Sequence, residues 1–290
     1  MYVMVSNTHM RTHYEMVCEL NNALTWLDNI LGIRSKNTRI DKYHKLLSTA
    51  DSLNSNEDYK DYILTKKEVD EFLLIYTAFK NEPKENILKQ VKFSVSGAYY
   101  RQDSNPEKAE PSRDYLLELS VAARLKLSGI EVQTNNICDV VAKYHEKYIY
   151  IECKRVRGKN KLLQRVKEAS NQISKRIGLK KLNAFGYIMI DVTDLLSVGK
   201  NIDEYKSFEH MKTYPIARLK EFSEKYNHDI SKLVGKKICG IIFYAHFLGV
   251  INLDGKLQPY NFPVYFAAGN EGTSLVKKNL NSEFLPHLLT

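Results

Sequence analysis

Apolar residues recur at helical spacing over residues 10 to 32, through Val17, Leu20, Leu24, Leu27 and Leu31. They do so again over 66 to 80, through Val69, Phe72, Leu73, Tyr76 and Phe79, with the polar stretch Ser52 to Asp61 between. The first third is therefore predicted to be mostly helical. Gln102 to Arg113 then holds Pro106 and Pro111, several small polar residues and no branched aliphatic side chain, the composition of a linker or exposed loop. It divides a helical N-terminal region, 1–101, from a second unit, 114–290. Ser112 to Ser128 returns to helical spacing, with Ser112 and Asp114 suited to the first turn and Gly129 to the C-terminal cap.

Beyond that helix the period changes from 3.6 to 2. Cys138 to Tyr144 and Tyr148 to Lys154 are short, rich in β-formers and separated by His145-Glu146-Lys147, which predicts an antiparallel hairpin. A basic helix over Lys161 to Ile177, a strand over Ala184 to Asp191, a helix over Ile216 to Leu233 and a strand over Ile238 to Ile251 follow. Asp254-Gly255 marks a second hairpin turn into Leu257 to Ala268. This order predicts an α/β fold, a mixed β-sheet flanked by helices, after a helical N-terminal region.

Length and composition narrow the class. The 290 residues suffice for about two domains with cores of their own. The longest nearly apolar run, Ile241 to Ile251, is interrupted by His246 and falls short of the ~20 residues of a spanning helix. The first residues lack the basic start, apolar core and small-residue cleavage site of a secretory leader. Cys18, Cys138, Cys153 and Cys239 are scattered without a CxxC, so neither a disulfide framework nor a zinc knuckle is expected. A cytoplasmic protein that does not use a membrane fits these features.

The net charge of +9 is concentrated. Residues 151 to 180 carry ten Lys or Arg against Glu152 and Glu168, so this window holds all but one unit of the excess. Such a field attracts polyanions, nucleic acid above all. Arg155, Arg157, Lys161, Arg165, Lys175 and Arg176 are the candidate phosphate-binding residues.

Candidate chemistry lies beside that segment. Alternate strand residues share a face, so Glu152 and Lys154 point one way while Ile149, Ile151 and Cys153 point the other. Asp139 interrupts the apolar run of the partner strand, where a carboxylate needs a partner or a metal. It joins Glu152 and Lys154 if the loop has an even number of residues, as His145-Glu146 or Glu146-Lys147 would provide, or if a bulge intervenes. On the preceding helix Glu118 projects within the apolar arc of Tyr115, Leu119, Val121, Ala122 and Leu125.

An inward Glu on a helix, an Asp on the next strand, Glu-x-Lys on the strand after and then a basic helix together resemble the PD-(D/E)xK, or restriction-endonuclease-like, nuclease superfamily. The resemblance covers about residues 112 to 270 and rests on Glu118, Asp139, Glu152 and Lys154. Glu-x-Lys occurs three times in the chain, and only the copy at Glu152 lies on an apolar strand downstream of a strand bearing Asp. Cys138 stands where the family pattern has proline before Asp139. The resemblance implies a DNA endonuclease of restriction, anti-phage defence or repair, acting alone, as a homodimer or as a subunit of a defence system. In it Asp139, Glu152 and the Cys153 carbonyl hold Mg²⁺, with Mn²⁺ as substitute, and Glu118 binds a metal-linked water or a second ion. Lys154 handles the attacking water, and Gln172 resembles a glutamine that some branches place near the site. The superfamily also has RNA-directed members and non-catalytic descendants that bind nucleic acid or assemble complexes, which is the rival expectation.

Other motifs are weaker. Gly249 to Lys256, GVINLDGK, imitates a phosphate loop but has Leu257 where Ser or Thr is required. His9 and His13 have i, i+4 spacing without a third ligand, and no GxSxG elbow occurs. The 19 tyrosines, Tyr99-Tyr100 among them, suit core edges better than base stacking.

Overall fold

A computed structural model describes residues 2–5, 11–49, 56–100, 110–134, 139–178, 183–196, 202–253, 256–270, 272 and 274–289. Eight strands form one mixed sheet: β1 (Tyr2–Val5), β2 (Glu131–Gln133), β3 (Val140–Tyr144), β4 (Lys147–Arg155), β5 (Ala184–Asp191), β6 (Asp203–Tyr205), β7 (Ile238–Leu253) and β8 (Lys256–Gly269). Seven run in the order β1-β8-β7-β5-β4-β3-β2, and β6 joins β7. β4, β5 and β7 are parallel neighbours, and antiparallel hairpins extend the sheet on both sides. The expected α/β architecture, a mixed sheet flanked by helices with helices also in the N-terminal region, is what the chain forms.

Both hairpins follow the alternation in the sequence. Tyr144 pairs with Lys147 and Val140 with Ile151, so the β3-β4 loop is the two residues His145-Glu146. His145 takes φ 49°, the left-handed conformation that so tight a reversal demands. Leu253 pairs with Lys256 across the second turn, whose Asp254-Gly255 lie outside the described residues.

The helices form two layers. On one face lie α1 (His13–Thr25), continued by a π-helical turn over Trp26–Leu31, then α2 (Arg39–Ser48), α3 (Asn56–Phe79), α4 (Leu88–Ser94), α5 (Pro111–Leu127), α8 (Leu275–Glu283) and α9 (Leu285–Leu289). Their apolar residues share one core with Ile149, Ile151 and Cys153 of β4 and Tyr187 and Met189 of β5. On the other face α6 (Leu162–Ile177) and α7 (Phe208–Ser231) cover Tyr150, Ile188 and Ile190. α6 lies close because Gly186 of β5 has no Cβ: one there would collide with the Ile173 side chain. No helix among the described residues is long and apolar enough to cross a membrane.

Several elements depart from the expectations. β1 adds a strand, antiparallel to β8, to a region read as helical. Helix α3 begins at Asn56, inside the polar stretch read as a break. Polarity misleads there because a helix tolerates polar residues on its outer side: Asp58 to Asp61 are half-buried or exposed, and burial begins at Ile63. Helix α7 begins at Phe208 instead of Ile216, capped by Ser207, whose Oγ accepts the His210 N–H. Pro215 sits inside it, and burial of Met211, Pro215 and Leu219 offsets the lost backbone hydrogen bond. Of the stretch 102–113, residues up to 109 lie outside the described residues, while Pro111 to Arg113 already form the first turn of α5.

Candidate active site

The C-terminal ends of β4 and β5 carry a dense set of ionisable side chains, at the edge where parallel sheets commonly bind ligands. The two faces of β4 bear different clusters.

On the face toward α6 stand Glu152 and Lys154. Glu152 is fully buried, and Lys154 Nζ lies 3.0 Å from its Oε2. The two-residue hairpin loop puts Asp139 opposite Glu152, just before β3 begins. There Asp139 Oδ2 accepts the Cys153 N–H at 2.8 Å and lies 3.7 Å from Lys154 Nζ. From the other layer Glu118 of α5, half-buried, completes the set. Burial, and then the Asp139 charge, push its carboxyl up to about 8, against the pull of Lys154 and Arg176. Asp139, Glu152 and Lys154 are thus brought together, with Glu118 near enough to feel the charges of Asp139 and Lys154. Cys138, the departure from the family pattern, lies outside the described residues.

A further side chain enters from α6. Arg176 projects onto Glu152 Oε1, so the buried carboxylate is clasped between Lys154 and Arg176. Gln172, one turn earlier, is half-buried, and its Oε1 has no hydrogen-bond partner. The resemblance placed Gln172 near the site; Arg176, read as phosphate-binding, was not expected beside Glu152.

On the face toward α5, Arg155 is buried among Glu110 at 3.4 Å, Asp114 at 3.8 Å and Asp191 and Asp194 at 3.9 Å. Arg157 adds a 2.8 Å contact to Glu110. Burial raises the Asp114 carboxyl while Arg155 opposes it. These two arginines were read as phosphate-binding, yet they balance interior carboxylates. Strand alternation carried the signal: Arg155 has the parity of Ile151 and Cys153, not that of Lys154. Lys161, Arg165 and Lys175 are exposed, Arg165 in a 2.9 Å pair with Glu168. Lys159 and Lys167 are exposed as well.

The carboxylates here are oxygen donors, and burial first, then the Asp139 charge, favours a proton on Glu118. Among the described residues, however, no group of three or more His, Cys, Asp or Glu side chains stands ready to hold an ion. Both carboxylate oxygens of Glu152 face cationic side chains.

The competing motifs dissolve in the fold. Gly249 pairs within the β7-β8 ladder, against Tyr260, so GVINLDGK is a hairpin. His13 contacts the Tyr62 hydroxyl at 3.2 Å, and His9 lies outside the described residues. Cys153 and Cys239 are buried free thiols and Cys18 an exposed one. Compared with protein-family models and with curated proteins, the chain matches none.

Proposed function

We propose that the chain is a metal-dependent nuclease of PD-(D/E)xK type that hydrolyses DNA phosphodiester bonds in restriction or anti-phage defence. The observation that carries this is the convergence of Lys154 on Glu152 and Asp139, at 3.0 and 3.7 Å, at the end of β4. Phosphodiester hydrolysis needs an activated water, neutralisation of the charge growing on the phosphate and a proton for the leaving oxygen.

Asp139, Glu152, the Cys153 carbonyl and Glu118 would hold Mg²⁺, with Mn²⁺ as substitute. Bound there, the ion supplies positive charge and lowers the pKa of its waters. The chain's own groups do the positioning. Lys154, tethered between two carboxylates, presents its remaining N–H donors to a phosphate oxygen or to the attacking water. Asp139, fixed by the Cys153 N–H, keeps its second oxygen available. Burial, and then the Asp139 charge, favour a proton on the Glu118 carboxyl, which could serve the leaving oxygen. The exposed Lys159, Lys161, Arg165, Lys167 and Lys175 would follow the phosphate backbone. A cytoplasmic setting, and a homodimer or a partner subunit, belong to the same proposal.

The clasp of Glu152 by Lys154 and Arg176 favours a second reading, a non-catalytic nucleic-acid-binding or assembly subunit that keeps the fold and has lost turnover. Incubation of the purified chain with DNA and RNA in Mg²⁺ or Mn²⁺ separates the two. Wild-type cleavage that disappears in Asp139→Ala supports the nuclease and shows which nucleic acid is cut. Salt-sensitive binding without cleavage by either metal supports the subunit. Undiminished cleavage by Asp139→Ala removes the site assignment.

A further inference from the structure

We infer that a small cavity between α7 and the turn after β5 takes one unpaired nucleotide of a nucleic-acid strand, its phosphate on Lys159, Arg218 and Lys225 and its base on the adjoining apolar wall. This rests on the nuclease reading and adds to it a substrate subsite separate from the carboxylates.

The cavity measures about 170 Å³. Three segments line it: the helical turn Lys159–Lys161 before α6, the turn that carries Leu195 after β5, and helix α7. Arg218, Phe222, Lys225 and Tyr226 stand at i, i+4, i+7 and i+8, so one face of α7 supplies both cations and rings. The cavity lies at the edge of the sheet that also carries Lys154. Arg155 and Asp191 pair where β4 and β5 end, and the chain runs on from them to Lys159 and Leu195.

The lining combines two chemistries. Leu195, Leu196 and Phe222 are buried, and the Phe222 ring lies 4.9 Å from that of half-buried Tyr226, which makes an apolar, partly aromatic wall. Lys159, Arg218 and Lys225 form no ion pair among the described residues; Asp203 feels Arg218 from beyond that distance. Glu221 is the one carboxylate in the lining, so positive charge prevails. Arg218 is already oriented, its Nη1 donating to the Tyr214 hydroxyl at 2.8 Å. A guanidinium held in place with further N–H donors captures phosphate oxygens at little cost in side-chain freedom. Size then selects the ligand. Pockets for a whole drug-sized molecule start near about 300 Å³, so this one holds a single unit of something longer. A nucleotide within a strand is such a unit, an anion beside an apolar ring. Its base must be unpaired to reach the wall, because a duplex keeps its bases stacked inside.

The test uses the full chain in EDTA, so that cleavage does not intervene, with labelled oligothymidylate, a blunt DNA duplex and free dTMP, read by fluorescence anisotropy and calorimetry. Tyr226→Ala should weaken oligothymidylate binding about tenfold, the ordinary worth of one base on an aromatic ring, and leave duplex affinity unchanged. Lys225→Met should lower the salt slope of oligothymidylate binding by about one unit. Glu221→Gln, which removes the carboxylate of the lining, should tighten that binding. Lys220→Met removes an exposed cation of α7 outside the lining and should leave the slope as it is.

Unchanged oligothymidylate affinity in Tyr226→Ala, or a slope change in Lys220→Met equal to that in Lys225→Met, overturns the inference. Binding of dTMP more tightly than oligothymidylate, lost in Tyr226→Ala, overturns the strand as occupant in favour of a free nucleotide. Metal-dependent cleavage that Asp139→Ala abolishes leaves the nuclease reading standing in each of these events. Absence of any nucleic-acid binding by wild type overturns both. If Tyr226→Ala does not fold, the exposed Lys159→Met and Lys225→Met carry the test, and an unchanged salt slope in both overturns the idea.

Discussion

Two buried charge clusters in this molecule are opposites, and the contrast separates structural ion pairing from a site. Around Glu68 of α3 each charge is matched: Glu71 lies 3.9 Å from Lys67 and Glu110 3.7 Å from Arg113, beside Glu68 itself. Arg39 and Lys67 each lie 3.2 Å from its carboxylate, and Arg113 also contacts it. The guanidiniums are further tied to backbone, Arg39 to the Ser94 carbonyl and Arg113 to those of Ala98 and Tyr99. Burial, and then Arg39, push Arg113 down to about 9, still protonated at neutral pH. Around Glu152 the balance favours carboxylates, and there it is an acid that is perturbed, Glu118 being pushed up to about 8. Matched charges settled on carbonyls tie α2, α3, α4 and α5 together. At the end of β4 the carboxylates outnumber the cations, and an acid is perturbed instead.

Substitution of Glu68 should have the largest effect. Glu68→Ala removes the buried carboxylate that Arg39, Lys67 and Arg113 share and should cost about 3–5 kcal/mol, read by chemical denaturation. Asp139→Asn, which keeps an oxygen for the Cys153 N–H, should abolish metal-dependent cleavage with little change in melting temperature. A large loss of stability in Asp139→Asn with little in Glu68→Ala would reverse the assignment of roles.

The pH response should also distinguish the clusters. Glu118 has a raised pKa, so its contribution to stability is fully present below its usual value near 4.5 and is lost as pH rises through about 8. Glu118→Gln should flatten that decline. Mn²⁺ affinity should rise over the same window as the competing proton leaves and then level off; an affinity that does not change with pH would detach Glu118 from the metal position.

The smallest effect concerns the basic surface. Replacing Lys161, Arg165 and Lys175 together should reduce the salt dependence of DNA affinity by about one unit per lost phosphate contact. Arg155→Ala should destabilise the fold and leave that slope unchanged, because Arg155 balances interior carboxylates. A changed slope in Arg155→Ala would return it to the nucleic-acid surface.

Much of the candidate site was legible because it depends on short-range geometry. Alternation in β4 places Glu152 and Lys154 on one side, the even loop brings Asp139 opposite, and helical projection turns Glu118 inward. Arg155 and Arg157 were read as phosphate-binding because a charge census treats every basic residue as exposed, whereas the folded chain pairs both with carboxylates. Their carboxylate partners, Glu110, Asp114, Asp191 and Asp194, are distant in sequence and meet them only in the folded chain.

The sequence by itself determined the local terms: the period-2 and period-3.6 segments, the hairpins, the sharing of faces and the carboxylate-lysine chemistry at one strand end. These follow from backbone geometry and side-chain parity, which act over a few residues. Only the tertiary structure decided that β1 pairs with β8, that the N-terminal helices share a core with one face of the sheet, and that Arg176 turns onto Glu152. Each depends on which surfaces meet across long stretches of chain. Long-range burial then selects the partner of each charge, because an interior carboxylate must find a counter-ion wherever the packing brings one.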